Sequence, residues 1–166
     1  VPRIAFINKL DRIGADFFSV VKEIRERLGA KAVPLQIPWG VEDTFVGIVD
    51  LISMKSLKFD SANPANPPVI GEIPAELVEQ AKRQHHDMIE TVAEYDDRLM
   101  EKYIHGQAIS QEELKTVLRK STIANTFVPI MCGSSFKNKG VQLMLDAVVD
   151  YLPCPLDIKS IPGVHP

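Results

Sequence analysis

An amide, an ammonium and a carboxylate follow one another in Phe6-Ile7-Asn8-Lys9-Leu10-Asp11-Arg12. A second small polar run, Cys132-Gly133-Ser134-Ser135, lies near the other end of the 166 residues. A carboxylate can accept two parallel N–H bonds at once, and its charge strengthens both. Asp11 is suited to that role. Guanine offers two such donors side by side, N1–H and the 2-amino group. Adenine offers an acceptor at N1 and fails the same test. Sites built on such bonds reject the wrong analogue by about 10⁴ to 10⁵. Asn8 can meet a ring acceptor or tie the two polar runs together, and Lys9 can lay its methylene stem along a base. The backbone N–H of Ser135, in a loop shared with Ser134, is expected to reach the O6 acceptor. On spacing alone, Asn-Lys-x-Asp also suits a solvated turn.

Such residues need elements that bring them together. Arg3 to Ile7 is apolar almost throughout and reads as a short buried strand. Asp16 then opens a helix with Phe17, Val21, Ile24 and Leu28 at helical spacing, and Gly29 closes it. Phe127 to Met131 is a second apolar strand, and a helix from about Gly140 to Leu152 follows it. Its inward residues are expected to be Val141, Met144, Leu145, Val148 and Leu152. Strand, polar loop and helix, twice over, is the grammar of a parallel α/β sheet, whose ligands sit at the carboxyl ends of the strands. Asn8 to Asp11 and Gly133 to Ser135 both fall at such ends.

The residues between read as an inserted α+β unit. Ala32 to Ile37 is expected to be one strand cut by Pro34. Thr44 to Ile52 and Lys55 to Phe59 read as antiparallel strands, and the proline-rich stretch 61–68 as an exposed loop. Pro74 starts a long helix carrying Leu77, Ala81, Met88, Val92 and Tyr95 inward. Asp96-Asp97 caps a short helix ending at Gly106. Ser110 and Glu113 form a capping box for another, which buries Leu114, Val117 and Leu118. The expected division is 1–30 and 126–153 for the parallel α/β part, 31–125 for the insert and 154–166 for a linker.

Composition narrows the classes. Net charge is −3, which gives no support for a broad nucleic-acid-binding face or sequence-specific DNA contact. Two cysteines are too few for a disulfide framework, and no apolar run nears the length of a membrane helix. A soluble, cytoplasmic chain with no membrane partner is expected. His85-His86 has no second ligand pair at zinc spacing, so a packed histidine beside a solvated one is expected. His105 suits a helix end and His165 the tail. Cys132 reads as buried, Cys154 as unactivated, Trp39 as a turn anchor, and Lys137 and Lys139 as a solvated loop.

FINKLDRIGADF resembles the base-recognition motif of translational GTPases, most closely the elongation factor G family. GSSFKNKGVQLMLDAVVDYLPCP is similar to that family's second base-binding loop and following helix, and VPLQIPWGVEDTFVGIVDLI to the start of its inserted subdomain. The resemblance spans essentially the whole chain. It implies the second half of a P-loop GTPase-type parallel sheet carrying an insert. By position it assigns Asn8, Lys9, Asp11, Ser134 and Ser135 to guanine, with GTP or GDP as the ligand. The family usually has alanine where Ser135 stands. It implies a ribosome-stimulated GTPase that drives translocation, with the stalk protein as a partner of the insert. No Gly-x-x-x-x-Gly-Lys-Ser/Thr occurs, nor a Mg²⁺ threonine or switch histidine. The chain by itself is therefore expected to hydrolyse nothing. Two alternatives stand beside this reading: an interaction module without useful nucleotide affinity, and a ribosome-protection GTPase.

Overall fold

The computed structural model describes residues 1–157. In chain order the elements are β1 (Ala5–Ile7), α1 (Phe17–Leu28), β2 (Ala32–Pro34), β3 (Gln36–Trp39), β4 (Gly47–Asp50), β5 (Lys55–Lys58) and β6 (Val69–Gly71). Then come α2 (Val78–Ala93), α3 (Asp97–Ile104), α4 (Gln111–Ile123), β7 (Val128–Cys132) and α5 (Val141–Tyr151). They form two sheets, a parallel one in the order β1-β7-β2 and an antiparallel one in the order β3-β4-β5-β6.

Local chemistry sets the helix ends. The Asp16 carboxylate accepts from Ser19 N–H, and Gly29 closes α1 in the left-handed region that a residue without Cβ enters freely. Asp96 accepts from Arg98 N–H and Leu99 N–H at the start of α3. Ser110 and Glu113 close a full capping box on α4, which buries Leu114, Val117 and Leu118. Pro74 precedes a single 3-10 turn rather than the long helix itself, which begins at Val78 and buries Ala81, Met88, Val92 and Ala93.

The expected strand Ala32 to Ile37 is two strands in two sheets. Leu35 is the crossing point. Its N–H donates to Ile130 O in the parallel sheet (3.0 Å), while its carbonyl accepts from Leu51 N–H beside the antiparallel one (2.9 Å). β2 ends at Pro34 on the sheet edge, where a missing N–H costs no ladder bond. The stretch 31–125 therefore opens on a strand of the parallel sheet, and the antiparallel sheet starts at Gln36. Strand β6, next to the proline-rich loop, is an addition to the expected set.

Helix α5 faces differently from its apolar spacing. It packs on α4 and buries Ala147 and Tyr151, while Leu145 is 61% exposed and Val148 and Val149 lie at the surface. Leu28 of α1 is likewise at the surface. Residues 154–157 are tied back to α4. Asp157 accepts from Cys154 N–H (2.7 Å) and from the Arg119 guanidinium (2.6 Å), which also caps the carbonyls of Val149, Asp150 and Leu152. The rest of the expected linker, with His165, lies outside the described residues.

Register decides where the polar runs go. Ile7 stands opposite Cys132 in the parallel pairing, so Asn8 and Gly133 leave the sheet side by side at its carboxyl edge.

Candidate functional site

Backbone bonds hold the two loops together first. Gly133 N–H donates to Ile7 O (3.0 Å), and Leu10 N–H donates to Gly133 O (3.2 Å). Leu10 is buried and anchors the first loop. Lys9 adopts a positive φ of 64°, and the turn is closed by Arg12 N–H on Lys9 O (3.0 Å). The Asn8 carboxamide oxygen stabilises that bend by accepting Lys9 N–H (2.8 Å). The same oxygen accepts both the Ser135 N–H (2.9 Å) and the Ser135 hydroxyl (3.0 Å). Of the two roles open to Asn8, the structure realises the tie between loops. The Ser135 N–H, expected on a ring oxygen, is directed at Asn8 instead.

The second loop is a tight turn. Ser134 and Lys139 exchange both backbone bonds at 2.9 Å, and Asn138 adopts a φ of 51°. Gly133 is required there, since a Cβ would lie 2.2 Å from Lys139 O and 2.8 Å from the Phe6 ring.

Asp11 sits inside this frame with its side chain 9% exposed, and the Lys137 ammonium lies 3.3 Å from its Oδ2. The neighbouring Ser134 hydroxyl, and then Lys137, hold the carboxyl below its ordinary range, against the opposing effect of burial. Ser134 Oγ is itself buried and makes no bond of ordinary geometry, so its proton is free to turn toward that carboxylate.

The expectation of a solvated loop holds for Lys137, which is exposed, and is overturned for Lys139. Lys137 pairs with Asp11, and Lys139 is 7% exposed with its ammonium on the Phe45 carbonyl at 2.7 Å. Burial first, and Lys137 second, push the Lys139 ammonium below its ordinary range, while Asp11 opposes them. Composition and spacing could not have shown either contact. Phe136, which motif spacing does not mark, follows Ser135 and is 95% exposed. A large bare ring beside a polar turn was the signal available. Lys9 is exposed on the first loop.

The residues considered for other roles lie elsewhere. His85 Nδ1 is 2.6 Å from Leu51 O, and exposed His86 meets the Tyr103 hydroxyl at 3.1 Å. Cys132 is buried, and burial pushes its thiol up. Trp39 lies on β3 with the Lys58 ammonium 5.9 Å from its ring centre.

The site thus joins an ionised acceptor, a cross-loop tie and an exposed ring at the carboxyl edge of a parallel sheet. The family model described as the Elongation factor Tu GTP binding domain matches residues 1–154. The chain belongs to that family. The GTP-binding domain of this family is a P-loop GTPase-type α/β fold, and its members bind guanine nucleotides as GTPases of translation. A crystal structure of a protein from Thermus thermophilus is similar over 95% of this chain, with a TM-score of 0.81 and 25% identity. This chain spans 23% of that protein's length. Among the described residues no three His, Cys, Asp or Glu side chains converge, so the lone Asp11 carboxylate is not a donor set for the Mg²⁺ that accompanies GTP.

Proposed function

We propose that this chain is the guanine-recognising part of a translational GTPase of the elongation factor G type. Asp11 accepts N1–H and the 2-amino group. Asn8 and Ser135 hold the two loops at the right separation, and Ser134 and Lys137 favour the ionised form of the carboxylate. Lys9 and the exposed Phe136 ring supply apolar surface for the faces of the base. The observation that carries this reading is the nearly buried Asp11 carboxylate, held low beside Ser134 in a pair of loops tied through Asn8.

The order of motifs around the antiparallel insert supports elongation factor G over its relatives. In that role the whole protein couples GTP hydrolysis to movement of transfer and messenger RNA on the ribosome in the cytoplasm, with the insert meeting the ribosomal stalk. No Gly-x-x-x-x-Gly-Lys-Ser/Thr motif to cradle the phosphates occurs in these 166 residues. The chain alone therefore turns over no GTP, and magnesium-dependent turnover above a protein-free control would overturn that part.

The decisive variant is Asp11→Asn in the full-length protein. Xanthine carries an acceptor at position 2, to which an amide can donate. Binding of GTP should weaken and xanthosine triphosphate should be preferred. An unchanged preference rejects the assignment.

A further inference from the structure

One short stretch of the insert grips both base-facing loops. The Glu42 N–H donates to Leu10 O (3.0 Å), and its carboxylate accepts Gly14 N–H (2.7 Å). Three residues on, the buried Phe45 offers its carbonyl to the Lys139 ammonium (2.7 Å). That ammonium also lies 5.6 Å from the Phe45 ring centre. A second strut is the Asn138 Nδ2 donor on Pro64 O (2.8 Å).

Burying an ammonium is costly unless its donors are used, and a lysine kept only to fill space would be better replaced by methionine. The place of Lys139 gives the cost a purpose. Its backbone is paired with Ser134, and the residue after Ser134, Ser135, holds Asn8.

We propose that Lys139 is a positioning residue for guanine recognition, pinning the Gly133–Ser135 turn to the insert through the Phe45 carbonyl. The grip on the base then depends on how the stretch Glu42–Phe45 is seated, so a partner that displaces this stretch speeds nucleotide release. The inference rests on Asp11 being the guanine acceptor.

The test uses the full-length protein and displacement of fluorescent GDP and inosine diphosphate analogues. Inosine lacks the 2-amino group and engages Asp11 once. Lys139→Met should release GDP about tenfold faster, the size of one hydrogen bond to a charged group, and narrow the preference for GDP over inosine diphosphate. Lys139→Arg, which keeps charge and donor, should restore most of that preference. A lowered melting temperature with unchanged preference, or parental release rates, overturns the proposal. If the methionine variant does not fold, Asn138→Gly tolerates the left-handed backbone, removes the Pro64 strut and loosens the turn. It should speed release about threefold with the same narrowing, and parental values again overturn the proposal. Asp11→Asn separates the two failures. If it does not favour xanthosine diphosphate, the base-site reading falls. If it does, and the Lys139 and Asn138 variants keep their preference, only the positioning role falls.

Discussion

The carboxamide oxygen of Asn8 accepts both the N–H (2.9 Å) and the hydroxyl (3.0 Å) of Ser135, which stands 127 positions away in the chain. Two loops that share no sequence neighbourhood are thus fixed by one oxygen. The two bonds differ in what a substitution can remove. Asn8→Ala loses both, together with the bond that bends Lys9. At about 1 kcal/mol each, the two cross-loop bonds predict GDP affinity weaker by about 30-fold in the full-length protein. Ser135→Ala loses only the hydroxyl bond, and about a fivefold weakening is expected. Equilibrium titration with a fluorescent GDP analogue checks the ordering, and equal effects would show that the side chain rather than the backbone carries the tie.

Gly133 makes the close approach of the turn possible. A methyl group there would meet Lys139 O at 2.2 Å, a backbone atom that is itself held by Ser134 N–H. Neither neighbour can yield without opening the turn. Gly133→Ala should cost about 1–3 kcal/mol or more, and each kcal/mol lowers the melting temperature of a chain this size by roughly 2–4 °C. Calorimetry on parent and variant measures it. Because the strain falls on the base-facing turn, GDP affinity should drop in the same variant.

The parts of this fold that were legible are those decided within a few residues. Asp16, Gly29, Asp96 and the Ser110–Glu113 box act on their own helix ends, and each is found where its type implies. Likewise the apolar runs ending at Ile7 and Met131 implied two strand ends; the second strand runs one residue further, to Cys132, and the parallel register sets that end beside Ile7. What could not be read depends on partners far away in sequence. Leu35 looks like any apolar strand residue, yet it divides its two backbone groups between two sheets. Apolar spacing on α5 marks Met144 as inward, and it packs on the core, but Leu145 and Val148 face outward and Ala147 and Tyr151 are the residues most deeply covered. Lysine is ordinarily a surface residue, so nothing local marks Lys139 as buried on a carbonyl 94 positions away.

The insert carries its own pH dependence at Glu113. The Lys102 ammonium, 2.5 Å away, and Ser110 N–H, at 2.9 Å, lower its carboxyl from 4.5 to about 2. A folded-state value below the unfolded one adds stability that is complete above about 4.5 and is lost as pH falls toward about 2. Glu113→Gln removes this contribution. The variant should melt below the parent at pH 7, and the two should converge as the solution is acidified through that window. Thermal melts across this range decide it, and a gap that stays constant with pH would mean that packing, not charge, is responsible.

Asp11 follows the same sign, but through different neighbours. Its carboxyl is lowered first by the Ser134 hydroxyl and then by the Lys137 ammonium, so it stays ionised below the ordinary carboxylate range. An acceptor of two N–H groups works only while ionised. Guanine binding should therefore persist into acid until the lowered value is crossed, and so should the stability that the ionised carboxylate adds to the turn. Ser134→Ala should raise the Asp11 titration midpoint, followed by NMR of its side-chain carboxyl carbon, more than Lys137→Met does. The hydroxyl is buried, whereas Lys137 is partly solvated and its attraction is screened. Added salt should shift the parent midpoint upward and leave that of Lys137→Met nearly still. If the lysine variant moves further than the serine variant, the ion pair rather than the hydroxyl keeps the base acceptor charged.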